Sequence, residues 1–173
     1  MHDEARPAAR LTVLTGPSGA GRAAVVGLVR ARSPWVRVPV AVTTRRRRDG
    51  EVDGVDYTFV DAAAFERMVH DGAFLETAWV RGNRYGTPRR PVEAWLAAGE
   101  PVLLPIDPRG AELVSVALPD ARIVLLVPPD DRWAAGPGVD AAIVHHAADR
   151  AAAELVGLLG SSILTPARPP TGG

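Results

Sequence analysis

Lysine is missing altogether. All twenty basic side chains are arginines, so no lysine ammonium can bridge phosphates, form a Schiff base or act as a general base anywhere in the chain. Cysteine is absent too, which removes disulfides, thiolate nucleophiles and thiolate metal ligands, and fits a reducing compartment. Aromatics are only 5% of the residues, with two tyrosines, so a tyrosine inside a polar motif stands out. Net charge is zero, which argues against a dominant electrostatic attraction to nucleic acid or a membrane surface. No apolar run approaches the roughly eighteen residues of a membrane span, and residues 1–10, expected to be flexible, carry no signal-peptide core. A soluble cytoplasmic protein is expected. At 173 residues the chain suits one domain, long enough to bury roughly two-thirds of its unfolded surface around a single core.

What is present begins with residues 16–23, GPSGAGRA. This is the outline of a phosphate loop, G-x-x-x-x-G-K-[ST], in which backbone N–H groups turn towards phosphate, a lysine bridges β and γ, and a hydroxyl ligates magnesium. Gly16, Pro17, Ser18, Gly19, Ala20 and Gly21 keep the loop. Arg22 and Ala23 stand where the lysine and the hydroxyl belong: one keeps a positive charge on a differently shaped head, the other can ligate nothing. A β-favouring run at 11–15 precedes the loop, and 21–31 follows with Val25, Val26, Leu28 and Val29, giving strand, loop and helix.

The remaining punctuation predicts strands at 36–42, 57–60, 75–80, 102–106 and 123–127, and helices at 91–98 and 109–117. A further helix, capped by Asp61, should bury Phe65, Met68 and Val69 before Gly72. After Pro128 and Pro129 the chain is expected to pass into an alanine-rich helix over 139–159, a last strand at 162–164 and a disordered tail at 166–173. The alternation implies an α/β fold with a mainly parallel sheet covered by helices.

Residues 43–57, TTRRRRDGEVDGVDY, closely resemble the TTRxxRxGExxGxDY signature of guanylate kinases. Phe74-Leu75-Glu76, Gly82-Asn83-Arg84-Tyr85-Gly86-Thr87 and Ile106-Asp107-Pro108-Arg109-Gly110 follow with family-like spacing, and the resemblance runs over about 11–129. It implies a P-loop NTPase-like three-layer domain over 11–165, with a small GMP-binding subdomain at about 40–90 and a shortened lid at about 130–145. It implies further that Arg45, Arg48, Tyr57 and Tyr85 hold the GMP phosphate. Glu76 and Asp107 would read guanine, with Thr87 beside them and Glu51 supporting the same pocket. Guanidinium forks and phenol hydroxyls suit a phosphate dianion, and carboxylates suit the N1–H and N2–H₂ donors of guanine. Taken alone, Glu76 reads as an exposed strand residue, Asp107 as a cap for the following helix, and Arg46 and Arg47 as solvated.

The departures gather on the donor half. Beyond Arg22 and Ala23, the resemblance leads one to expect an acidic residue where Pro105 stands; on the acceptor side one position departs, Ala41 standing where a serine is expected. The lid keeps one arginine, Arg132, so Arg22 and Arg132 are the cations left for catalysis, with Arg150 a further lid charge. His145 and His146 read as surface residues of the last helix, since neighbours on a helix point about 100° apart and cannot readily share one ion. No protein-held metal is expected; magnesium would arrive with ATP if the chain is active. The main expectation is a guanine nucleotide-binding protein with weak or lost phosphoryl transfer. An active kinase converting ATP and GMP to ADP and GDP is the first alternative, and a non-catalytic module for a phosphorylated protein partner the second. GMP or a related guanine nucleotide is the expected ligand, ATP is doubtful, and neither nucleic acid nor membrane is expected as a partner.

Overall fold

The structure, a computed structural model, describes residues 11–129 and 138–160. The expectations for 1–10, for Arg132, for the strand at 162–164 and for the tail at 166–173 lie outside the described residues.

Four parallel strands form the central sheet in the order β6-β1-β7-β8: β1 is Leu11–Thr15, β6 Val102–Pro105, β7 Arg122–Val127 and β8 Ala141–Val144. Side chains along a strand alternate between faces, and each face is closed by its own helix pair. Leu14, Leu103, Val124 and Leu126 pack with α1 (Arg22–Arg32) and α5 (Ala148–Gly160). Leu11, Val13, Val102, Leu104 and Ile123 pack with α3 (Arg89–Ala97) and α4 (Pro108–Ala117). The three-layer α/β architecture expected from the sequence is therefore the one observed. Each fully buried leucine of this core contributes about 1.5–3 kcal/mol.

A second, mixed sheet runs β3-β2-β5-β4, from β2 (Val42–Thr43), β3 (Thr58–Phe59), β4 (Phe74–Val80) and β5 (Asn83–Pro88). It rests on α2 (Ala62–His70) through Val42, Phe65 and Phe74. Asp61 caps α2 as expected, its Oδ1 accepting from Ala64 N at 2.6 Å.

Several elements differ from the reading. Of the strand expected at 36–42 only Val42 is in one, β2 running Val42–Thr43; Pro39 offers no N–H to a ladder, and Arg37 makes just an isolated bridge to Val102. Val69 is 38% exposed rather than buried, because α2 covers the small sheet with Phe65 and Met68 alone. The continuous helix expected at 139–159 is instead β8 followed by α5, so residues 141–144 of the supposed lid are a strand of the central sheet. Pairing with β7, in the register Val124↔Ala141 to Val127↔Val144, overrides the helical preference of alanine.

Candidate functional site

The phosphate loop hangs between the end of β1 and the start of α1. Gly16 has φ 153° and lies so close to β7 that a Cβ would sit 2.3 Å from Leu126 O. Gly21, at φ 81°, is the N-cap of α1 and offers no side chain there. Pro17, Ser18, Gly19 and the buried Ala20 line a hollow of about 750 Å³. Ala23 lines the same hollow and brings no polar atom.

Beside this hollow opens a smaller one of about 270 Å³, built by strand alternation. Glu76, Ala78 and Val80 on β4, and Tyr85 and Thr87 on β5, all present to it. Between the last two, Gly86 tolerates no side chain: a Cβ would come within 2.6 Å of Phe74 Cδ1. Glu76 is buried, and Thr87 Oγ1 donates to its Oε1 at 2.6 Å. Burial pushes the Glu76 carboxyl above its usual range, and Asp107 adds to the rise against the hydrogen bonds from Thr87. Asp107 is both the N-cap of α4, accepting from Gly110 N at 2.7 Å, and part of the same wall. Cap and pocket are one residue here, not alternatives. Gly110 permits the approach, since a Cβ there would lie 3.0 Å from Glu76 Oε2.

The signature loop sets Arg45 over Tyr57, outside the lining of both hollows. Arg45 forms a two-pronged pair with Glu51, Nη2 to Oε1 at 2.7 Å and Nη1 to Oε2 at 3.0 Å, and Glu51 also accepts from Arg48 N at 2.8 Å. That pairing drops Glu51 to about 2 and raises Arg45. Arg45 Cζ lies 5.2 Å from the ring centroid of Tyr57, and the Tyr57 and Tyr85 rings meet edge-on at 5.9 Å. Glu51 lines the larger hollow and not the smaller one, so it supports Arg45 rather than Glu76 and Asp107. Arg46, Arg47 and the Arg48 side chain are exposed.

Arg22 lines both hollows. Its Nη1 donates to Gly16 O at 2.9 Å and to Ile106 O at 2.8 Å. Burial lowers its pKa from the ordinary arginine value, an effect opposed by Asp107. His145 is not on a helix. It follows β8, with its N donating to Val127 O at 2.7 Å and its ring against Gly21, and its Nε2 finds no partner among the described residues. His146 and Arg150 are exposed.

The donor set does not fit a protein-held magnesium ion. Ala23 and Pro105 supply no side-chain oxygen, Asp107 Oδ1 is committed to its cap, and no group of three or more His, Asp or Glu gathers among the described residues.

A family model described as guanylate kinase matches residues 8–137. The chain belongs to the guanylate kinase family. A guanylate kinase of Thermobifida fusca (strain YX) is 57% identical over 120 residues, covering 69% of this chain and 61% of that protein. One of Frankia casuarinae is 56% identical over 119 residues, covering 69% and 65%. The crystal structure of guanylate kinase from Anaplasma phagocytophilum aligns with a TM-score of 0.76 at 26% identity, over 88% of this chain and 85% of that one. The chain thus spans less than two-thirds of the length of the first two relatives. Within this guanylate kinase fold, no described helix is long and apolar enough to cross a membrane.

Proposed function

We propose that this guanylate kinase family member binds GMP, with guanine in the smaller hollow on Glu76 and Asp107 and the phosphate at Arg45, Arg48, Tyr57 and Tyr85. The observation that carries the reading is the buried Glu76, bonded to Thr87 beside Asp107 and lying in one hollow with Tyr57 and Tyr85. Guanine offers donors at N1 and N2 to two carboxylates. Adenine offers an acceptor at N1 and no C2 amino group, and leaves buried acceptors unpaired, which costs about 1–3 kcal/mol. On this reading the acceptor subdomain spans about 40–90 of a domain covering 11–165.

Turnover has two readings. The shared name of the relatives favours transfer of the ATP γ-phosphoryl to GMP over its loss. A slow or silent transfer step is favoured by one feature of the loop: Arg22 spends Nη1 on two backbone carbonyls and Ala23 has no hydroxyl. In that chemistry, cations that neutralise the transferring group carry much of the rate. Retention of both base-facing carboxylates weighs against a phosphoprotein-binding module, which has no use for them. Calorimetry with GMP and AMP tests the binding reading: saturable GMP binding at least about tenfold tighter than AMP is expected. No GMP heat at millimolar concentration refutes it. A coupled assay for GDP with magnesium and ATP then separates the two readings of turnover.

A further inference from the structure

Arg22 sits where the two hollows join. Its Nη1 bonds tie Gly16, the first residue of the phosphate loop, to Ile106, the residue before Asp107 in the wall of the base-sized hollow. A guanidinium has five N–H bonds. Two are spent on these carbonyls, and the three on Nη2 and Nε make no hydrogen bond to any described residue. Nor does any described carboxylate form an ion pair with Arg22; Asp107 acts on it only through space. A half-buried cation held in this way keeps donors free to receive an anion.

Which anion it serves follows from where it is held. The bond to Ile106 O draws the guanidinium to the acceptor side, into the wall that also carries Glu76, Tyr85 and Asp107. Arg22, Pro39, Ala41, Tyr57 and Pro105 line both hollows, and of these five only Arg22 and Tyr57 carry a side-chain donor. Tyr57 in turn lies under Arg45. A monophosphate whose base lies on Glu76 and Asp107 therefore meets Arg22 and Tyr57 at the same junction.

We infer that Arg22 binds the phosphate of the acceptor nucleotide, as a further cation beside Arg45 and Arg48, instead of gripping the β- and γ-phosphates of a triphosphate. The inference rests on the GMP reading and reassigns the loop arginine within it. Arg22 couples the phosphate loop to acceptor occupancy through Gly16.

The test is calorimetry in magnesium-free buffer with GMP, with guanosine, which lacks the phosphate, and with ATP. It compares the unsubstituted chain with Arg22→Gln and Arg22→Lys. Arg22→Gln is expected to weaken GMP about tenfold or more while guanosine and ATP affinities stay within about twofold, the signature of one lost charge-assisted contact to phosphate. Arg22→Lys, which keeps the charge but not the fork, should fall between; it carries the test if Arg22→Gln does not fold. Unchanged GMP affinity in the variant that folds, equal losses for GMP and guanosine, or a loss confined to ATP each overturns the assignment. Absence of GMP binding by the unsubstituted chain overturns the GMP reading itself and this inference with it, a result distinct from an unchanged variant.

Discussion

Thr87 and Glu76 are partners across the antiparallel β4–β5 ladder, and the threonine hydroxyl donates to the buried glutamate at 2.6 Å. The bond orients Glu76 but does not repay its burial, so the carboxyl stays above its usual range. A raised acid binds its proton more tightly folded than unfolded. Stability of the unliganded protein should therefore fall as pH climbs from the unfolded value of 4.5 through the raised one. Guanine needs the ionised form, so guanosine affinity should rise over the same window; guanosine is the ligand of choice because it has no phosphate to titrate. Glu76→Gln should flatten both profiles and weaken guanosine by roughly tenfold to a hundredfold, read by calorimetry and thermal melts.

Glu51 obeys the opposite sign. Its carboxyl is depressed to about 2 by Arg45 and by the Arg48 amide, so its contribution is complete above the unfolded value of 4.5 and is lost as pH falls towards 2. Above pH 5 it adds no pH dependence. Glu51→Gln should free Arg45 to wander and weaken GMP about tenfold, with guanosine little changed. Equal loss of both ligands in calorimetry would contradict the role in phosphate positioning.

Gly86→Ala forces a Cβ to within 2.6 Å of Phe74, whose ring stacks on Phe65 at 4.6 Å. Neither aromatic can retreat from that small core. A loss of about 1–3 kcal/mol is expected from overpacking, visible as a lower melting temperature, together with weaker GMP binding because Tyr85 and Thr87 flank the site.

Ala23→Ser supplies the hydroxyl that the loop lacks. With magnesium and ATP, GDP formation should rise on the order of tenfold, as one added contact of ~1.4 kcal/mol in the transition state would give. An unchanged rate in the coupled assay would place the bottleneck elsewhere than at this position.

Three of the four central strands, β1, β6 and β7, are legible in the sequence because they are short, apolar and separated by clear punctuation, as with 102–105 and 122–127. β5 was not, since Asn83, Arg84, Gly86 and Pro88 hide a strand whose polar face builds the site. β8 was mistaken for helix because Ala141 and Ala142 favour helix locally, and only the partner strand decides otherwise. Of the residues the sequence singled out, Tyr57, Glu76, Tyr85, Thr87 and Asp107 line the smaller hollow, Glu51 lines the larger one, and Arg45 and Arg48 line neither. The anchoring of Arg22 was invisible: it depends on a backbone oxygen 84 positions away. The ring of His145 against Gly21 is likewise a product of the strand register that places residue 145 at the loop.

The most direct measurement is a crystal structure of the chain grown with GMP. The account predicts guanine paired edge-on with Glu76 and Asp107, and the phosphate held by Arg45, Tyr57 and Tyr85 with Arg22 alongside. A phosphate seated in the 16–21 loop, with the carboxylate-lined hollow left unfilled, would contradict it.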